Sequence, residues 1–440
     1  ASDVYKRQHN KDMKINKNRV KTTTMIGLTA LAITSCASSN KAQKDNVVVK
    51  PDNIQNMEDM DNSYLILSDE QLSAVNKGNT FALNLFRTQA GMDSKVVSPL
   101  SVAYLMGMLA NGAEGNTQTE IMKTLGTNDV SLETLNEAYK AIINTASTLD
   151  KQTTVNIANC IAVNQQISIK DKYKKAMLQT YNAQVESMNF AGDALKRINN
   201  WCDKQTNGMI PSIIDQLNPN AIAVIMNAIY FNGTWDKKFD KNDTKKEPFK
   251  GYTRDIKRVD MMHQNAKFDF VEQEDFSAIN LPYGNGTYNM TVFLPHDGKS
   301  TTEIMEKLNA EKLSELNNNM EKCIVDLKLP RFSTSTETQL NKPISNLGAP
   351  SMFISSQADF SKISDTPMFI SSMIQKAKIE VSEEGTKAAA VTAGVMMMSA
   401  LPSVQPRRVE FHADHPFVYL ITERHTGAIF FIGQYTGDNL

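Results

Sequence analysis

The chain has 440 residues, 41% of them hydrophobic and 22% charged, which is the composition of a globular protein able to form one large domain or two smaller ones. Its 47 basic residues nearly balance its 48 acidic residues. This balance argues against nucleic acid as the main partner, because nucleic-acid-binding domains usually carry a basic excess.

The first part of the chain has the pattern of a targeting segment. Residues 1–12 look unrelated to the rest of the chain, and Met13 is a plausible start. The stretch 13–35 opens with basic residues and continues with an apolar run, Met25 to Ile33, of about nine residues. That run is too short to span a bilayer as a stable helix, so we interpret 13–35 as a signal peptide.

The signal peptide ends in Ile33-Thr34-Ser35-Cys36, which resembles the lipobox of bacterial lipoproteins. The resemblance implies cleavage before Cys36 and acylation of its thiol, with the membrane as a partner through this anchor. The alternative is an ordinary signal peptide with an incidental cysteine. Both place the mature protein outside the cytoplasm, on the periplasmic or cell-surface side or secreted. Residues 36–68 are rich in Asn, Asp, Lys and Ser, which is typical of a flexible tether.

From residue 69 onward the sequence shows helix and strand patterns with no internal repeat. One helix is predicted to open at Ser98-Pro99, with the serine as N-cap and proline in the first turn. The GAEGNT turn, Gly112 to Thr117, separates it from a helix that reaches Leu125. The other predicted helices cover Glu70 to Arg87, Lys170 to Tyr181 and Ala194 to Thr206.

Strand patterns dominate the second half. Ala221 to Phe231 is almost wholly apolar, as a strand buried on both faces should be. The other predicted strands are Asn156 to Val163, Tyr288 to Leu294, Ile324 to Leu329, Ala377 to Val381, Phe417 to Ile421 and Ile429 to Gly433. Helices followed by a strand-rich half predict an α+β fold with large mixed or antiparallel sheets.

The segment from Glu383 to Pro406 is unusual for a loop. After Lys387 it carries no charge until Arg407, and its first half consists of small residues. Exposed loops are normally rich in polar residues, whereas strands at the centre of a sheet are nearly free of charge. The composition therefore predicts a segment that can be exposed in one state and buried in a sheet in another.

The common catalytic and metal-binding motifs are absent from the sequence. It contains no GxSxG, HExxH, Walker or GxGxxG pattern, and none of its six histidines forms an i, i+4 pair. Its four cysteines include no CxxC pair, and those after Cys36 fit buried free thiols better than disulfides. We therefore expect no enzyme activity, no metal and no cofactor.

A set of collinear motifs resembles the serpin family from about Asp69 to the C-terminus. The motifs, in chain order, are VVSPLSVA (96–103), NGAEGNT (111–117), INNWCDKQTNGMI (198–210), MNAIYFNGTW (226–235), VDMM (259–262), LPYGNG (281–286), LPRF (329–332), ADFSKIS (358–364), VSEEGTKAAAVTA (381–393) and FHADHPFVYLI (411–421). One such match would be weak, but this many in order identify the chain as a serpin-like domain over 69–440. Its reactive-centre loop covers about 383–408.

The resemblance implies a suicide-substrate inhibitor of serine proteases. The protease cuts the loop and forms an acyl-enzyme, and the cut loop then inserts as a new strand in the main sheet. The resemblance assigns the hinge to Glu383, Glu384, Gly385, Thr386, Ala388, Ala390 and Thr392. Every second residue from Thr386 would face inward, and none of these is charged or larger than threonine. Lys387, where the family commonly has glutamate, would face outward.

The resemblance also assigns polar residues beneath the sheet. Ser98, Ser101 and Asn227 match the positions of the family's shutter, and Gln375 stands where many serpins have histidine. Trp235 closes the central-strand motif. These polar groups could form a buried latch, or they could be ordinary capping and turn residues.

Counting forward from Thr386 by the common family spacing puts the scissile bond at Ser399-Ala400, with Met398-Ser399 as a close competitor. Counting back from Pro416 gives Gln405-Pro406, but proline after the scissile bond makes a poor substrate. The small or apolar side chains favour an elastase-, subtilisin- or chymotrypsin-like target, and a papain-like cysteine protease stays open. We expect a monomer. The alternatives are a non-inhibitory serpin acting as a binding or carrier module and an extracytoplasmic hydrolase.

Overall fold

The computed structural model describes residues 65–89, 91–253, 256–386 and 406–438. The predicted leader, signal peptide, Cys36 and most of the tether lie outside these residues. Among the described residues, no helix combines the length and apolar character needed to cross a bilayer.

Nine α-helices form within the described ranges. They are α1 (Asp69–Arg87), α2 (Pro99–Gly112), α3 (Gly115–Thr124), α4 (Leu132–Thr145), α5 (Asp171–Tyr181), α6 (Ala194–Gln205), α7 (Thr301–Lys307), α8 (Ala310–Asn319) and α9 (Asn341–Leu347). The five helices predicted from the sequence are confirmed, with ends that differ by at most three residues. Local chemistry explains α1 well, because Ser68 and Gln71 form a reciprocal capping box at its start.

Fifteen strands form within the described ranges. They are β1 (Lys95–Val97), β2 (Thr153–Asn164), β3 (Gln184–Met188), β4 (Ala223–Thr234), β5 (Lys245–Lys250), β6 (Ile256–Glu272), β7 (Phe276–Tyr283), β8 (Tyr288–Pro295), β9 (Glu321–Pro330), β10 (Phe332–Gln339), β11 (Ser372–Ser382), β12 (Gly385–Thr386), β13 (Arg408–His412), β14 (Phe417–Glu423) and β15 (Ile429–Tyr435). Every predicted strand is present, and most extend beyond the predicted ends.

The strands build two mixed sheets, which confirms the α+β fold. The six-stranded sheet has the order β10-β11-β12-β4-β2-β3, with an additional direct pairing between β11 and β4. The nine-stranded sheet has the order β1-β15-β14-β8-β7-β6-β9-β13, and β5 pairs with β6. The strand β4 pairs antiparallel with β2 along eleven residues and parallel with β11.

The central strand β4 is buried on both faces, as its apolar sequence predicts. Its odd-numbered residues Ala223, Ile225, Ile229 and Phe231 belong to the main core, which also contains most of α2. Its even-numbered residues Val224, Met226, Ala228 and Tyr230 belong to a second core together with residues of α6. The helix α2 is buried on nearly all sides, and it starts next to the core face of the six-stranded sheet.

Candidate functional site

Two parallel strands at the centre of the six-stranded sheet pair directly over only part of their length. Direct pairing between β11 and β4 ends at Lys376 and Ala228. Five residues further along each strand, Thr386 of β12 lies between Val381 of β11 and Gly233 of β4. Adjacent strands are about 4.8 Å apart, so β11 and β4 must separate to about twice that distance over these five residues.

We call the widening between residues 229–232 of β4 and residues 377–380 of β11 the strand gap. It continues the line of β12 into the sheet. The core-facing side chains that border it are buried and apolar: Ile229, Phe231, Ala377 and Ile379. An extended segment that entered the gap would gain strand hydrogen bonds and would bury its core-facing side chains among these groups.

The described part of the predicted hinge, Glu383 to Thr386, closes one end of the gap, called its top, as a short hairpin. Ser382 pairs with Gly385, so Glu383 and Glu384 form the connection between β11 and β12. The backbone amide of Trp235 donates to the Glu384 carbonyl at 2.9 Å, and the amide of Phe239 donates to the Glu383 carbonyl at 3.0 Å. The segment after β4 therefore holds this hairpin in place through two backbone hydrogen bonds.

Gly385 is required by the close approach of two backbones. Its φ is +142°, a conformation that side chains with a Cβ rarely adopt. A Cβ at this position would clash with the Gly233 carbonyl oxygen and would meet the Thr234 Cα at 2.8 Å. The glycine that follows two acids in the sequence is thus demanded by the packing of the hinge against β4.

Thr386 is fully buried and faces the core. Its Oγ1 lies 2.7 Å from the hydroxyl of Tyr283. The Tyr283 ring stacks on Trp235, with 4.4 Å between the ring centroids, and the Trp235 Nε1 donates to the Ser382 carbonyl at 2.9 Å. Burial raises the pKa of Tyr283, so this hydroxyl stays neutral and can pair with the threonine. The core face of the hinge is therefore built for a small hydroxyl side chain.

Ion pairs hold the two hinge carboxylates. The Glu383 side chain is only 3% exposed; Arg331 pairs with it, and the Thr244 hydroxyl donates to it at 2.7 Å. Burial raises the pKa of Glu383, but the hydrogen bonds from Arg331 and Thr244 outweigh this and keep the pKa below its usual value. The carboxylate is therefore ionised at neutral pH.

Glu384 forms a second, more exposed pair of contacts. Its carboxylate oxygens lie 2.8 Å from the Lys238 Nζ and 3.1 Å from the Lys241 Nζ. Hydrogen bonds from these two lysines lower the pKa of Glu384. Both lysines belong to the segment after β4, so this segment contacts the hinge through side chains as well as through its backbone.

On the core face of the six-stranded sheet, the Gln375 side chain of β11 binds the main chain of Ser98 at the start of α2. Its Oε1 accepts from the Ser98 amide at 3.0 Å, and its Nε2 donates to the Ser98 carbonyl at 2.7 Å. Ser98 occupies the N-cap position as predicted, but its side chain accepts no hydrogen bond from the first turn of the helix. The predicted capping contact is therefore wrong. The Ser98 hydroxyl instead donates to the Ser101 Oγ at 2.9 Å, which gives this fully buried donor a partner.

Asn227 lies on β4 opposite Gln375, and it is fully buried. Its Nδ2 donates to Asn159 Oδ1 at 2.9 Å and to the Ala158 carbonyl at 3.2 Å. Within the described part of the chain, Asn227 Oδ1 and Asn159 Nδ2 have no hydrogen-bond partner. A buried polar atom without a hydrogen-bond partner lowers the stability of the fold. Asn227 and Asn159 are therefore the least satisfied members of the buried polar cluster that they form with Ser98, Ser101 and Gln375.

The structure brings together Glu383, Glu384, Gly385, Thr386 and Trp235 at the top of the gap, and Ser98, Ser101, Asn227 and Gln375 below it. The predicted hinge residues Ala388, Ala390 and Thr392 and the predicted reactive-bond residues Met398, Ser399 and Ala400 lie outside the described residues.

Several residues of the site were not predicted from the sequence. Arg331, Thr244, Tyr283, Asn159 and the two lysines were assigned no role. Arg331 and Tyr283 belong to motifs that were recognised, LPRF and LPYGNG, so their presence there was an available signal. The contacts of Thr244, Asn159 and the lysines depend on strand pairing that the sequence does not display.

The remaining candidate chemistry lies apart from this site. Cys160, Cys202 and Cys323 are free and buried, as expected. His415 lies between two acceptors, Asp414 Oδ1 and the Pro295 carbonyl, each at 2.8 Å. Over the ranges that the structure covers, no group of His, Cys, Asp and Glu is arranged to hold a metal ion.

Comparison with known proteins gives one consistent result. A family model described as "Serpin (serine protease inhibitor)" matches residues 76–437. Iripin-2 of Ixodes ricinus is 32% identical over 384 residues, which cover 84% of this chain and 96% of that protein. The leukocyte elastase inhibitor of Homo sapiens is 33% identical over 384 residues, covering 83% and 99%. The native structure of the thermophilic serpin Tengpin superposes with a TM-score of 0.76 at 26% identity, covering 83% and 94%.

Proposed function

The chain belongs to the serpin family of serine protease inhibitors, and we propose that it traps its target protease by inserting the cleaved reactive loop into the strand gap. The partner would be a serine protease that cuts the loop and remains attached as an acyl-enzyme. Elastase inhibitors among the relatives support protease inhibition in general.

The strand gap is the observation that carries this proposal. β11 and β4 keep one register on both sides of the point where they separate, because Lys376 pairs with Ala228 and Val381 lies level with Gly233. The gap therefore has the width of one strand and needs no shift of its neighbours along the strand direction. A segment that follows Thr386 could extend β12 into it rung by rung.

The register predicts where each loop residue would lie after insertion. β12 is antiparallel to β4, with Thr386 opposite Gly233. Extending this pairing would place Ala388, Ala390 and Thr392 opposite Phe231, Ile229 and Asn227, respectively. Phe231 and Ile229 face the main core and Asn227 shares their side of β4, so the inserted residues would face it too. Small uncharged side chains at these positions avoid the cost of burying a charge or overfilling the core.

The length of the sheet supports the proposed scissile bond. In the same register, Met396 would lie opposite Ala223, the first residue of β4. Ser399 is three residues further, or about 10 Å of extended chain beyond the end of the strand. Gln405 would be nine residues further, about 30 Å, and would leave the protease on a long free tether. A short tether holds the trapped protease against the protein, which favours Ser399-Ala400 or Met398-Ser399.

Insertion is expected to release a large free energy. A full inserted strand would separate the direct β4–β11 pairing at residues 224–228 and 372–376 and form two new pairings in its place, for a net gain of about a dozen hydrogen bonds at roughly 1 kcal/mol each, before any apolar burial. The total is on the order of 10 kcal/mol, comparable with the stability of a whole domain. The intact protein must then be held by a kinetic barrier rather than by its free energy alone.

Incubation with an elastase, followed by denaturing gel electrophoresis, tests the proposal. We expect a detergent-stable band at the combined mass of the two proteins, together with a small peptide that begins after Ser399 or Met398. Elastase whose catalytic serine has been blocked is the control, and it should give no such band. Degradation without a stable complex would reject the inhibitor and favour the non-inhibitory carrier.

We also propose that the protein is attached to a bacterial envelope through a lipid on Cys36. The pattern of residues 13–35 and the lipobox-like end support this. Metabolic labelling with a fatty acid should mark the parent and not a Cys36→Ser variant; equal labelling would reject the anchor.

A further inference from the structure

We propose that His415 is a pH-sensitive switch, which fastens the connection between β13 and β14 to the end of β8 only while its imidazole ring is protonated. This inference goes beyond the proposed function. It concerns how firmly the chain is held where the predicted loop returns to the sheet, and it adds a control by pH that protease inhibition itself does not require.

The strand β13 lies at the edge of the nine-stranded sheet. Among the described residues it pairs with β9 alone. It begins at Arg408, where the predicted loop ends. The four residues that follow, 413–416, lead from this edge to β14 in the interior of the same sheet. The contacts of this connection therefore help to anchor the far end of the loop.

The connection is attached to two neighbouring strands in different ways. At its start, the Ala413 amide donates to the Lys328 carbonyl of β9 at 2.9 Å. Further along, the side chain of His415 contacts the carbonyl of Pro295, the last residue of β8, at 2.8 Å. The first attachment uses only the main chain, whereas the second depends on the protonation state of an imidazole ring.

Both ring nitrogens of His415 face acceptors. Nδ1 lies 2.8 Å from the Asp414 Oδ1, and Nε2 lies 2.8 Å from the Pro295 carbonyl oxygen. A carboxylate and a carbonyl only accept hydrogen bonds, whereas a neutral imidazole has a single N–H donor. Only the imidazolium ion can therefore donate to both partners at once. Loss of its proton would remove one of the two hydrogen bonds and the ion pair with Asp414.

The charged groups around this contact favour the protonated ring. Asp414 lies on the same connection, Asp297 follows β8, and Lys250 at the end of β5 acts on Asp414. Burial lowers the pKa of His415, but the hydrogen bonds to Asp414 and Pro295 and the two negative charges outweigh it, so the pKa lies above its usual value of 6.5. The hydrogen bond from His415 in turn lowers the pKa of Asp414.

The sign of the pH dependence follows from these shifts. Because the pKa of His415 is higher in the folded state, the stabilisation is fully present below the unfolded-state pKa near 6.5 and is lost as the pH rises through the folded-state pKa. Asp414 stays ionised over this range, since its pKa lies below its usual value of 3.8. The attachment to β8 is therefore firm in mildly acidic conditions and weakened in alkaline ones.

The test compares the full-length parent with His415→Arg and His415→Gln. Arginine stays charged and offers donors to both acceptors, whereas glutamine is neutral at every pH. The denaturant midpoint of unfolding is measured from about pH 5.5 to about pH 9. Relative to each variant, we expect the midpoint of the parent to fall by a few tenths of a molar as the pH rises over this range. At the acidic end, His415→Arg should lie closer to the parent than His415→Gln does.

An NMR titration assigns the effect to the His415 ring. Its Cε1 proton, identified as the signal that is missing in His415→Gln, should titrate with a pKa above 6.5 in the parent and with a lower pKa in Asp414→Asn. If His415→Arg does not fold, His415→Gln and this titration still decide the question. Parallel midpoint profiles for the parent and the variants, a His415 pKa below 6.5, or an unchanged His415 pKa in Asp414→Asn would each overturn the inference. None of these measurements involves a protease, so their outcome is independent of the proposed function.

Discussion

Replacing Thr386 with arginine should convert the inhibitor into a substrate. Thr386 is fully buried on the core face of β12, between Val381 and Gly233, and its hydroxyl meets that of Tyr283. An arginine there would direct a guanidinium into the space beside the Tyr283 and Trp235 rings. The intact variant would therefore release residue 386 from between β11 and β4, and insertion would then require either burial of this charge or reversal of the hinge's face.

The increase in the barrier to insertion can be worked out from the contacts of residue 386. Burying a charge without a partner costs several kcal/mol, and loss of the hydroxyl pair adds about 1 kcal/mol. A barrier raised by about 5 kcal/mol slows insertion by roughly three to four orders of magnitude. Hydrolysis of the acyl-enzyme would then occur before the protease is trapped.

The assay measures how many inhibitor molecules are consumed per elastase molecule inactivated, together with the yield of the detergent-stable complex. The parent should consume close to one inhibitor molecule per elastase molecule inactivated. Thr386→Arg should instead be cleaved and should form almost none of the detergent-stable complex. Lys387→Arg is the matched control, because it places the same side chain at the next position, which would face outward. Efficient trapping by Thr386→Arg would contradict this prediction, since the buried position would then tolerate a charge.

Two further predictions concern the hinge. Gly385→Ala should lower the melting temperature measured by scanning calorimetry, because φ is +142° and the new Cβ would meet the Thr234 Cα at 2.8 Å. We expect about 1–3 kcal/mol of backbone strain, and an unchanged melting temperature would contradict this prediction. Glu383 has a pKa held below its usual value by Arg331 and Thr244 despite its burial, so its ionised form contributes stability above the unfolded-state pKa near 4.5, and this contribution is lost as pH falls through the folded-state pKa. As the pH is lowered from about 7 to about 3, the denaturant midpoint of unfolding should therefore fall less steeply for Glu383→Gln than for the parent. Parallel curves for the two proteins would show that protonation of this carboxylate is not linked to folding.

Local patterns were sufficient to predict the central strand of the six-stranded sheet and the first helix. The unbroken apolar run of β4 indicates a strand buried on both faces, and the structure places its two faces in two different cores. The capping and periodicity of α1 similarly need only neighbouring residues. By contrast, the long strand β6 was not predicted, because its many exposed polar residues hide the alternation; it is a strand because it pairs with β5, β7 and β9.

The order of residues along the chain was enough to establish the family resemblance, the absence of charge in the loop and the small residues at alternating hinge positions. The packed sheets were needed to show that the Ser98 side chain binds Ser101, that Arg331 and Thr244 hold Glu383, and that one oxygen of Asn227 lacks a donor among the described residues. Composition and periodicity act over a few residues, whereas the contacts of Glu383 and Asn227 join segments that are far apart in sequence and lie on or beside paired strands. Their partners are therefore fixed by strand register, which exists only once the sheets have formed.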